Sequence, residues 1–155
     1  MIIEQELEKR ILNAIQDKLT ENNITGIQLS GSLQTEENNI KAKENGSSTG
    51  YLIVKVNPRQ YSSPTIPECE IPISVALTVR SDIDFNGKTY MDVFGVLINI
   101  FERWQKCLDD VHTLFTIEDN FNVTGYQLNP GNCPLDANSK VWGYTHDMTI
   151  FGVIL

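Results

Sequence analysis

The sequence predicts an α+β fold: a largely antiparallel, mixed β-sheet with two α-helices packed on one face. Three observations carry this. Ile71, Ile73, Val75, Leu77 and Val79 alternate with Pro72, Ser74, Ala76, Thr78 and Arg80, the period of a half-buried strand. After the polar link Asp82-Ile83-Asp84 and Asn86-Gly87 the period becomes helical, with Met91, Phe94, Leu97, Ile98, Phe101, Trp104 and Leu108 in register. Residues 141–155 then alternate again, with Trp142, Tyr144, His146, Met148 and Ile150 on one face.

The elements follow in order. Leu7, Ile11, Ile15 and Leu19 recur every four residues and predict a helix over 3–20, with Glu4, Glu6 and Glu8 near its start and Lys18 near its end to suit the dipole. Ile27 and Leu29 mark a short strand. Residues 31–50 hold few apolar side chains and read as a long polar loop, too poor in buried surface to offset its ordering entropy. Residues 51–56 are a second strand. Residues 57–70, with Pro58, Pro64 and Pro67, are irregular. Pro72 places the next strand at an end or a sheet edge, because proline donates no ladder hydrogen bond. Thr89 and Asp92 resemble a capping box at the start of the second helix. Its polar stripe is narrow (Asp92, Gly95, Asn99, Glu102, Lys106), so the helix is expected to be covered by the sheet and by the first helix or a neighbouring subunit. Three β segments close the chain, at 111–117, 121–128 and 141–155.

With 155 residues the chain fits a single domain, 1–155. The net charge of −8, with 12 Lys and Arg scattered along the sequence, argues against nucleic acid and anionic membranes as partners. The N-terminus carries acids where an export signal needs cations, and the most apolar helix is interrupted by Asp92, Asn99, Glu102 and Arg103; neither a signal peptide nor a membrane span is expected. Cys69, Cys107 and Cys133 are odd in number and unspaced for zinc, so free thiols are expected.

No constellation carries a familiar chemistry. His146 and Asp147 are adjacent on a strand and point to opposite faces, so the acid does not orient the imidazole. His112 falls in the segment read as a strand. Asp82 and Asp84 sit in a turn. Gly87-Lys88-Thr89 lacks the opening glycine of a phosphate loop, since position 82 is an aspartate. No catalytic residue, metal or cofactor is expected. Trp142, Tyr144 and Tyr126 are the residues a small-ligand or carbohydrate-binding module would use, and His146 with Asp82 and Asp84 the dispersed set an enzyme would need.

The order of elements resembles that of tail-terminator and tail-completion proteins of long-tailed bacteriophages, and of related minor tail and neck proteins. The likeness rests on the helix with Leu7, Ile11, Ile15 and Leu19, the long polar loop, the strand 71–79 leading into the helix 89–105, and the closing region with Trp142-Gly143-Tyr144. It implies a non-enzymatic structural subunit. Such a subunit forms a homo-oligomeric ring, docks to the tail tube or connector, and resides in the virion or, during assembly, in the host cytoplasm. The contact arms it implies are the 31–50 loop, with Glu36, Glu37, Lys41, Lys43 and Glu44, and the segment containing Tyr61.

Overall fold

The computed structural model describes residues 2–31, 50–129 and 140–155. Along them run helix α1 (Ile3–Glu21), strands β1 (Ile27–Gly31), β2 (Gly50–Val56), β3 (Gln60–Tyr61) and β4 (Glu68–Arg80), helices α2 (Tyr90–Lys106) and α3 (Leu108–Phe115), and strands β5 (Phe121–Asn129) and β6 (Val141–Ile154). The fold is α+β, as expected. The six strands form one mixed sheet in the order β1-β2-β4-β6-β5, with β3 pairing β4 beyond the end of β2. Only β1 and β2 run parallel.

Helix α1 keeps its predicted stripe: Ile3, Leu7, Ile11, Ile15 and Leu19 are all buried. Its end is a Schellman turn. Asn23 takes φ +59°, the Ile24 N–H reaches the Leu19 carbonyl at 2.9 Å, and the Asn23 N–H reaches that of Thr20 at 3.0 Å. Ile24 is itself buried, so the chain leaves the helix pointing into the core. Helix α2 starts where the capping pattern placed it: the Asp92 carboxylate accepts from the Thr89 N–H at 2.8 Å and from its hydroxyl at 3.2 Å.

The helices form one layer over one face of the sheet. That face carries Leu52, Val54, Ile71, Ile73, Val75, Leu77, Val79, Tyr144, His146, Met148 and Ile150, all buried. Residues of the opposite face, Ser74, Ala76 and Thr78 on β4 and Thr145 and Asp147 on β6, stay partly or fully exposed.

Four expectations are corrected. Residues 111–117 are not a strand: α3 spans Leu108–Phe115, the layer holds three helices rather than two, and His112 is helical. Val111, Thr113, Phe115 and Ile117 fit period two, while Val111, Leu114 and Phe115 fit a helix. The break at Cys107 (φ −125°, ψ 86°) lets a new helix begin and bury Val111 and Phe115. Pro72 lies in an interior strand rather than at a sheet edge. Its carbonyl accepts from the Asn57 N–H, so its nitrogen faces the gap between β2, whose pairing stops at Ile73, and β3, whose pairing starts at Glu70. No ladder bond is lost there. The segment 57–70 is less irregular than expected, since β3 and the first residues of β4 fall within it. Met91 and Ile98 of α2 face outward, at 60% and 38% exposure, although spacing puts both on its apolar side. Leu108, read in the same register, opens α3 instead and is 49% exposed. Phe94, Leu97, Phe101 and Trp104 are buried against the sheet, with α1 alongside as the second neighbour.

Candidate functional site

Of the predicted contact residues, Glu36, Glu37, Lys41, Lys43 and Glu44 lie outside the described residues. Tyr61 is described and is 52% exposed. It sits on β3 opposite Cys69 at the pole of the molecule where α1 begins and β6 ends. Arg59 fixes this pole. Its Nε and Nη2 donate to both carboxylate oxygens of Glu4, in the first turn of α1, at 2.6 and 3.0 Å. The pair is mostly shielded, and these hydrogen bonds hold the Glu4 carboxyl below its usual range and keep Arg59 protonated. The Ser63 and Thr65 hydroxyls lie 3.1 Å apart across Pro64, and the Ile154 N–H donates to the Pro67 carbonyl at 2.9 Å. On this braced loop Tyr61 and Ile66, 48% exposed, border an open groove of about 590 Å³ with Pro64 and Pro67.

Among the described residues no helix covers the other sheet face, whose centre is shallow. Its central pairs are Ser74 with Asp147, Ala76 with Thr145, and Thr78 with Gly143. The Ser74 hydroxyl donates to Asp147 at 2.8 Å. These small side chains are flanked on the same face by Tyr51, Ile53 and Lys55 of β2 and by Phe151 of β6.

The aromatic residues proposed for a ligand pocket are placed otherwise. Trp142 stacks on Tyr90 with centroids 4.9 Å apart; Tyr90 meets Phe94, and Phe94 meets Tyr144. His146 lies flat against Phe101 at 4.3 Å, and Trp104 contacts Phe101, Phe115 and Tyr126. This row of rings fills the seam between α2 and the strands β5 and β6. Two further grooves run beside α1, one lined by Lys18, Asn22 and Arg103 of the helix layer, the other by Arg10, Asp17 and Thr113. Neither they nor the Tyr61 groove is lined by Trp142, Tyr144 or Tyr126.

The acid and histidine candidates are not brought together. Arg80 grips Asp82 through two bonds of 3.0 and 2.9 Å, which lowers that carboxyl's pKa. Asp84 accepts from the Gly87 N–H at 2.8 Å and closes the turn in which Asn86 and Gly87 take φ of +62° and +78°. Asp147 faces away from His146, as alternation requires. The His112 ring shares a hydrogen with the Asn122 side chain at 3.1 Å. Among the described residues no three His, Cys, Asp or Glu side chains group as a metal site would need. Cys69 and Cys107 are free thiols, and burial pushes that of Cys69 up.

Two features had no usable signal in the sequence. Glu4 and Arg59 are 55 positions apart. The bond between the Tyr144 hydroxyl and His146 Nδ1, 2.6 Å, joins residues that alternation merely puts on one face.

No family model matches this chain, and no curated protein matches it. Among solved structures, a crystal structure from Akkermansia muciniphila is similar at 12% identity over 97% of this chain and 76% of its own, with a TM-score of 0.30. A likeness that low carries no argument about fold or function.

Proposed function

We propose that this chain is a structural subunit of a phage or prophage tail, of the terminator or completion type, that self-associates into a ring and docks to the tail tube or connector. The observation that carries the proposal is the one-sided cover of the sheet. Among the described residues the helices shield one face only. The other carries small side chains along its centre, flanked by Tyr51, Ile53 and Phe151, and the braced pole exposes Tyr61 and Ile66. Apolar side chains held out on a rigid loop suit a protein contact. No catalytic role is assigned. Among the described residues no helix is long and apolar enough to cross a membrane.

Light scattering behind size exclusion, across a concentration series and with negative-stain images of large species, tests this. The expected result is a closed ring that the double variant Tyr61→Ser, Ile66→Ser no longer forms while keeping its far-UV circular dichroism. A monomer at every concentration, with no retention on assembled tail tubes, overturns it.

A further inference from the structure

We propose that His146 is a proton-sensitive latch between β6 and α2, whose uptake of a second proton in mildly acidic solution loosens the helix from the sheet. This is independent of the tail assignment. His146 is 5% exposed and lies nearly parallel to the Phe101 ring of α2, 14° apart in plane at 4.3 Å. Its Nδ1 shares one hydrogen with the Tyr144 hydroxyl at 2.6 Å, and its Nε2 is buried with no hydrogen-bond partner. A neutral imidazole has one N–H and tolerates this arrangement. The imidazolium has an N–H on both nitrogens, and Nε2 has nothing to donate to.

Among the described residues the surroundings offer no counter-charge. From α2 the ring meets Phe101, and Trp104 lies one ring further along the row. From β4 its register partner is Val75; along β6 it has Tyr144 and Met148 on the same face; Tyr126 of β5 stands beside Trp104. The two tyrosines are the titratable groups on this side. Glu102, Arg103 and Lys106 of α2 are exposed, and Arg103 is paired with Asp110. Asp147, adjacent on β6, projects from the other face to Ser74. A cation stacked on Phe101 gains some attraction from the ring, but less than the desolvation of a buried, unpaired charge costs. Burial accordingly lowers the His146 pKa, against a smaller opposing pull from Asp147.

The sign follows. The open state binds the proton at about pH 6.5 and the closed state binds it lower, so the closed state weakens as pH falls below about 6.5. One proton taken up on opening changes the opening equilibrium by at most about tenfold per pH unit. Amide hydrogen exchange of the full chain between pH 7.5 and 5, corrected for intrinsic rates, reads this directly. Protection of α2 is expected to fall by up to about tenfold per pH unit below pH 6.5, more than that of β1 and β2, and the extra fall is expected to vanish in His146→Phe but persist in His112→Gln. Equal pH dependence in wild type and His146→Phe overturns the latch. If His146→Phe does not fold, the imidazole 15N shifts of the wild type decide. A His146 ring still neutral in the folded chain at pH 5.5 supports the proposal, and one that titrates at about its ordinary value of 6.5 overturns it.

Discussion

Replacing Tyr126 by phenylalanine is expected to stabilise this protein, the reverse of what most core substitutions do. Tyr126 enters the helix-facing side of the sheet because of a bulge. Phe121 and Val123 pair with Ile154 and Gly152, the register shifts between Val123 and Gly125, and Tyr126 then stands opposite Ile150. The extra residue turns the side chain inward against Trp104, edge to face at 6.2 Å. The hydroxyl arrives in the core with no hydrogen-bond partner, and burial pushes the phenol pKa up. A buried polar group left unmatched costs about 1–3 kcal/mol, whereas the phenyl ring keeps its packing in the variant. A gain of about 1–2 kcal/mol follows, which at about 2 kcal/mol per M of urea raises the unfolding midpoint by about 0.5–1 M with an unchanged slope. Tyr144→Phe is the control. It deletes the same atom from a hydroxyl that bonds His146 at 2.6 Å, leaves Nδ1 unmatched as well, and is expected to cost about 1–2 kcal/mol. Urea unfolding followed by tryptophan fluorescence measures both. A loss of about 1 kcal/mol or more in Tyr126→Phe would refute the reasoning, because the hydroxyl would then be making a bond.

Three further outcomes can be checked by the same unfolding measurements. Gly152→Ala places a methyl group against the Phe121 ring and 2.8 Å from the Asn122 carbonyl, and is expected to cost about 1–3 kcal/mol; an unchanged midpoint would mean the β5–β6 end is slack. Glu4→Gln is expected to cost about 1 kcal/mol at pH 7. Because the folded-state pKa of Glu4 is lowered from 4.5, its contribution is full above that value and is lost as pH falls through the lower one, so the gap between wild type and variant closes in acid. A gap that widens on acidification would contradict this. Asn23→Ala forces a less tolerant residue into φ +59° at the end of α1 and is expected to cost about 1 kcal/mol, while Asn23→Gly is expected to be no worse than wild type.

Much of the architecture is local and therefore legible in the chain. The stripe of α1, the alternation of β4 and β6 and the Thr89–Asp92 cap depend on side-chain spacing within one element, and each is found where spacing places it. The segment after Cys107 fits both periods, and nothing within it separates them. What decides is that a helix there buries Val111 and Phe115 against Trp104 and the sheet. Met91 and Ile98 fail for a related reason: spacing shows that a helix is apolar, not how wide a face its neighbours cover. The candidate site divides the same way. Tyr61 is recognisable as an aromatic in a proline-rich segment, but the Glu4–Arg59 clamp that braces it spans 55 positions.

The sequence by itself therefore determined the α+β class, most of the strands and helices, and the side of each that turns inward, because these follow from short-range periodicity and the removal of apolar surface from water. Tertiary structure decided the β1-β2-β4-β6-β5 order, the helical state of Leu108–Phe115, the position of Pro72 in a gap rather than at an edge, and the burial of His146 and Tyr126 with unmatched polar atoms. Each of these depends on which distant segments meet, and a polar atom's partners are set by residues that neither period nor composition brings to its side.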